Sequence, residues 1–117
     1  MAIHFATKDA KSLLQAFDAR ISQEEPKGKI TTWEKSEDGK YYTHKASEWN
    51  KAAWLLPKIE ATQLTFNIIK PKNKDISVVA YAYYHGHLIE TFLNHFDKSF
   101  QNGVASALPE AGDVISS

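Results

Sequence analysis

ISVVAYAYYHGHLIETFLNHF, residues 76–96, decides the fold of this 117-residue chain, because two periodicities meet inside it. In ISVVAYAYY, Ile76, Val78, Ala80 and Ala82 alternate with Ser77, Val79, Tyr81 and Tyr83. Period two together with β-branched content predicts a strand. From Leu88 the spacing changes. Leu88, Ile89, Phe92, Leu93, Phe96 and Phe100 cover one side of a helix running to about residue 101, and Glu90, Thr91, Asn94, Asp97 and Lys98 take much of the remainder. Gly86 is read as the break between strand and helix.

The preceding residues support the same partition. In QLTFNII, residues 63–69, Leu64, Phe66 and Ile68 face one way and Gln63, Thr65 and Asn67 the other. The polar connection KPKNKD, with Pro71 and Asn73, then joins two antiparallel strands. On the second strand, small Ala80 and Ala82 leave room for a helix to pack closely, while Tyr81 and Tyr83 crowd the opposite face.

Towards the N-terminus, Ala10, Leu13, Leu14, Phe17 and Ile21 recur at helical spacing and predict an amphipathic helix over residues 8–23, capped by Thr7. EEPKGK ends it, since Pro26 cannot continue the ladder. Ile3 and Phe5 alternate with polar neighbours as a short edge strand. Ile30 and Trp33 precede SEDG, and residues 40–44 follow it, which predicts a hairpin turning at Gly39. Residues 47–59 admit two readings. Trp49, Ala52, Ala53 and Leu56 have helical spacing, the reading favoured, while Trp54 and Leu56 also suit one face of a strand. Pro57 ends the element or marks an irregularity at a sheet edge.

Two helices separated by antiparallel strands predict a two-layer α+β fold. The expected sheet has four or five strands, with the N-terminal and C-terminal helices on one face. Residues 1–108 form the single expected domain, and residues 109–117, with Pro109 and Gly112, a flexible tail.

Composition narrows the function classes. Fourteen basic residues balance fourteen acidic ones, so no general field attracts nucleic acid, and none is expected as a partner. Lys70, Lys72 and Lys74 form the one dense basic run and read as a solvated loop. Cysteine is absent, which excludes disulfides, thiolate nucleophiles and cysteine-held metals. No apolar run approaches the ~20 residues that span a bilayer, and MAIHFATKDAK lacks a signal-peptide pattern. A cytoplasmic protein without membrane contact is expected.

Three of the five histidines fall within residues 85–95. In an extended segment, His85 and His87 project from the same side and with Glu90 compose a candidate polar or metal site. The set matches no specific signature such as HExxH. His87 and His95, about 80° and roughly 12 Å apart on a helix, cannot share an ion. No nucleophile elbow, phosphate-cradling loop or dinucleotide fingerprint is present, so no cofactor and no catalytic residue is assigned. The aromatic residues carry the preferred reading. Tyr81, Tyr83, Val79, Trp33 and Tyr41 are candidate partner-binding residues on a sheet face too apolar to face water alone. A small non-enzymatic interaction module follows: a stoichiometric inhibitor, an immunity-type protein or a homodimer, with a protein partner or self-association expected and a small apolar ligand as the lesser candidate. The alternative is a small enzyme, metal-dependent or not, at the junction of His85, His87 and Glu90.

Overall fold

A computed structural model describes residues 1–116 of the chain. The elements run β1 (Ile3–Ala6), α1 (Ala10–Ser22), β2 (Trp33–Lys35), β3 (Tyr42–His44), β4 (Trp54–Ile59), β5 (Gln63–Ile69), α2 (Val78–Phe96) and β6 (Asn102–Ala105). The expected α+β architecture is present. The six strands, one more than the upper expectation, form a single antiparallel sheet in the order β2-β3-β4-β5-β1-β6. The radius of gyration is 13.4 Å, against roughly 13 Å for a compact chain of this size.

Both helices lie on one face, where the alternating strands place their largest apolar side chains. Ile3 and Phe5 of β1, Leu55 of β4 and Leu64, Phe66 and Ile68 of β5 are all fully buried there. Phe17 of α1 and Phe92 of α2 reach the Phe66 ring with centroids 6.0 and 5.7 Å away, and Phe5 stacks on Phe92 at 4.2 Å. Aromatic pairs of this kind add packing energy beyond the area they bury.

The largest correction concerns residues 76–84, which are not a strand. Val78–Phe96 is one helix of 19 residues, capped by Ser77, whose hydroxyl accepts from the Ala80 N–H at 3.1 Å. Its buried stripe is Ala80, Tyr84, His85, Leu88, Thr91, Phe92 and Phe96, the i, i+4 recurrence of one helical face. Period-two alternation over nine residues was therefore accidental. Gly86 does not break the helix: it lies on the outer side, with nothing within 4 Å of an added Cβ. A helical glycine costs about 1 kcal/mol, much less than burial of the stripe returns. Ala80 is buried and Ala82 exposed, so the two alanines do not share a packed face.

Other departures are local. The favoured helix over residues 47–59 is a turn followed by β4, and Pro57 is tolerated because β3 pairs with β4 only at Tyr42 and Leu55, leaving the edge beyond free. Asp9, not Thr7, caps α1, accepting from the Ser12 N–H at 3.0 Å. The Thr7 hydroxyl instead donates to the Ser99 carbonyl at 2.8 Å. β1 is central rather than an edge, lying between β5 and β6. The last helix stops at Phe96 rather than near residue 101, and Asn102–Ala105, assigned to no element from the sequence, form β6.

The C-terminal segment packs on the sheet. Val114 forms a parallel bridge to Ile69, with its N–H donating to the Ile68 carbonyl at 2.9 Å and its carbonyl accepting from Lys70 N–H at 2.7 Å. Asp113 accepts from Asn67 Nδ2 at 2.9 Å and from the Ile68 N–H at 3.1 Å. These bonds occupy the end of β5 that extends past β1. Ser117, the last residue of the expected tail, lies outside the described residues. No described helix is long and apolar enough to cross a membrane.

Candidate functional site: an aromatic cleft on the helix-free sheet face

The sheet has a second face, and its two halves differ. Over β1 and β5 the C-terminal segment covers it, burying Thr65 and Asn67. Over β4 and the end of β5 no described element covers it. Because Leu55 and Ile68 point to the helices, their neighbours Trp54 and Ile69, themselves paired across β4 and β5, point away. Tyr41, just before β3, sets its ring edge-to-face against Trp54, at 6.4 Å and 68°. With Ile69 and Pro71 they wall a cleft of about 420 Å³, within the usual range for ligand pockets. Lys51, Lys70 and Lys72 stand at its rim.

Two polar clusters compete with this cleft. The first surrounds His44, whose ring approaches Trp33, Tyr83 and His87 edge-on with centroids 5.0, 5.1 and 5.1 Å away. Trp49, Tyr83 and His87 stack in series, at 4.4 and 4.1 Å. His44 Nδ1 accepts from the Ala46 N–H at 3.0 Å, which places the proton of a neutral ring on Nε2, a buried atom with no hydrogen-bond partner. Burial, and then His87, hold the His44 pKa below its ordinary value. Tyr84 closes the cluster beneath, donating to the Trp49 carbonyl and accepting from the His44 N–H at 3.4 Å. Spacing in the chain could not place His44 beside His87; packing does. His44 itself is 3% exposed beneath the half-buried Trp49, Tyr83 and His87, so its imidazole is closed off from a substrate.

The second cluster has the outline of a catalytic triad. Glu110 lies 2.9 Å from His4 Nε2, and His4 Nδ1 lies 2.8 Å from Thr65 Oγ1. Nucleophile, base and orienting acid adopt this order in acyl-transfer sites. Here the Thr65 hydroxyl, 2.8 Å from His4 Nδ1, donates its single proton to Glu60, and the residue is 3% exposed. It is neither free to lose a proton to the imidazole nor open to a substrate. The cluster pins the C-terminal segment to the sheet.

The candidate residues of the sequence are dispersed. Val79 is 65% exposed on the first turn of α2. Tyr81 packs beside His85, and Tyr83 lies between Trp49 and His87. Trp33 is in the core, its indole N–H donating to Thr91 Oγ1 at 3.0 Å. Tyr41 alone of the five lines the cleft. His85, His87 and Glu90 do not converge, because residues two apart on a helix point about 200° apart. His85 is buried between the carbonyls of Tyr81 and Met1, whereas Glu90 is exposed. Among the described residues, no three His, Asp or Glu side chains have an arrangement that could hold a metal ion. Trp54, Ile69 and Lys51 were missed as site residues. For Trp54 the signal was present in the strand alternative for residues 47–59, which places Trp54 and Leu56 on one face and hence Leu55 on the other.

No family model matches the chain, and no curated protein or solved structure matches it.

Proposed function

We propose that the chain is a non-catalytic protein-binding module whose recognition surface is the Tyr41–Trp54 cleft, on the sheet face that no helix covers. One observation carries this reading: half-buried Tyr41 and Trp54 wall a concavity, whereas Trp33 and Tyr84 are fully buried and the equally half-buried Trp49 and Tyr83 stack on each other. Aromatic side chains held in rigid, partly desolvated hollows supply most of the energy at protein interfaces. The cleft sits on paired strands, so little ordering entropy is lost when it is filled. The spent hydroxyl of Thr65 and the closed packing around His44 favour binding over catalysis. The aromatic surface is thus assigned to Tyr41, just before β3, and to Trp54 of β4 rather than to the tyrosines of α2.

A photo-crosslinking amino acid at position 54, with position 79 as the control, tests the assignment in extract of the source cells. The expected result is a discrete protein adduct from position 54 that weakens when Tyr41→Ala is added. Adducts from position 79 and none from 54 would move the surface to α2. Adducts at the mass of two chains would identify the partner as a second copy.

A further inference from the structure

The cleft also carries a charge asymmetry. Lys51, Lys70 and Lys72 line it, and none of them takes part in an ion pair of the described residues, where the paired cations are the N-terminus, His4 and Lys35. Lys51 is held in place by its backbone: φ is 60°, and its N–H donates to Thr43 Oγ1 at 2.9 Å. Lys70 is fixed through its N–H to Val114. Acidic groups stand nearby, in the adjoining hollow that shares Ser36, Lys51 and Trp54 with the cleft. Two of these are engaged within the molecule. Glu34 accepts from Asn50 Nδ2 at 2.7 Å, and Asp38 accepts from the Ser36 hydroxyl and from the Lys40 N–H. Glu37, also exposed, has no hydrogen-bond partner among the described residues. No described carboxylate lies within ion-pair distance of the three rim lysines, and the Lys70 ammonium makes only a long hydrogen bond, to the Pro71 carbonyl at 3.5 Å, which leaves these groups available to an outside anion.

We infer that the cleft binds an acidic segment of a partner protein, seating one large apolar side chain between Tyr41 and Trp54 with flanking carboxylates on Lys51, Lys70 and Lys72. This rests on the binding-module reading above and adds the chemistry of the partner. The volume suits one large side chain and its neighbours. The rim lysines steer an acidic chain and disfavour a basic one. A nucleic acid fits less well. The two rings stand 68° apart, so a single base cannot lie parallel to both, and Glu37 lies beside the basic edge rather than a continued cationic track.

Titration of the ¹⁵N-labelled chain with three peptides tests this: acetyl-Glu-Glu-Trp-Glu-Glu-amide and its counterparts with glutamine or lysine in place of glutamate. At low salt the acidic peptide shifts the amides of Lys51, Trp54 and Ile69 and binds about fivefold more tightly than the glutamine peptide, as expected from a few exposed ion pairs. The lysine peptide binds more weakly than either. Combining Lys51→Glu with Lys72→Glu abolishes the preference, and Trp54→Ala weakens all three, with the remaining amide spectrum showing that each variant is folded. Equal binding of the acidic and glutamine peptides at these amides overturns the acidic partner while leaving the cleft as the recognition surface. No shift at these amides with any peptide overturns both. Tighter binding of an octathymidylate than of the acidic peptide replaces the proposed partner with a nucleic acid.

Discussion

Two glycines illustrate how differently single positions respond to the same substitution. A Cβ on Gly103 would lie 3.0 Å from Cε1 of Phe5, whose ring is locked against Phe92. Gly103→Ala is therefore expected to destabilise the fold by about 1–3 kcal/mol, the range for overpacking a filled core. Gly86→Ala meets open space on a helix and should stabilise by about 0.5–1 kcal/mol. Urea unfolding of both variants checks the contrast, and equal effects would contradict the packing described around β6. Asp113 is a third such residue. Burial works against its charge, yet hydrogen bonds from Asn67, from the Glu110 and Ile68 N–H groups and from the N-terminus together keep its carboxyl below the ordinary value. Asp113→Ala, which strands those donors, should cost about 2–3 kcal/mol. An unaltered midpoint would mean that the C-terminal segment contributes nothing to stability.

At the scale of elements, α2 holds the molecule together and α1 follows sequence expectation. The α1 stripe of Ala10, Leu13 and Phe17 was legible because helical spacing held over thirteen residues and a proline followed, although the cap is Asp9 rather than Thr7. In α2 local signals conflicted. Valines and tyrosines favoured strand, Gly86 suggested an end, and only Ser77, an N-cap three residues before the stripe, indicated that the helix began earlier. Ser77→Ala should lower stability by about 1 kcal/mol, and Ser77→Asp should keep most of the cap. Unfolding monitored by far-ultraviolet circular dichroism tests both. No loss in the alanine variant would show that sheet packing alone starts the helix.

Across the whole molecule, three histidines respond to acid in the same direction. Burial is the main cause in each case. It lowers the pKa of His44, where His87 adds to it, and of His95, where Arg20 adds to it. At His85 burial also prevails, against the opposing pull of the Met1 and Tyr81 carbonyls. From the ordinary value of 6.5 down to the lowered folded values, the unfolded chain binds more protons than the folded one. Stability accordingly falls as pH drops through that window. Lowered carboxylates, Asp113, Glu60 and Glu110, add a second loss further down, below about pH 4.5. The urea midpoint should decline between pH 7 and 5 and again below 4.5. A flat profile across the upper window would show that the imidazoles are solvated rather than buried.

The amino-acid order alone determined what neighbouring residues settle among themselves: the α1 stripe, the alternation of β5, the hairpin at Gly39, and the two-layer α+β class that follows from them. Tertiary structure decided the state of residues 76–84, the central place of β1, the pairing of β6 and the location of the cleft. The physical reason is common to all four. An apolar residue specifies that it will be covered, but whether Ala80 and Tyr84 are covered as a helix face or a strand face depends on Phe5, Phe66 and the rest of the sheet, and those partners become neighbours only on folding.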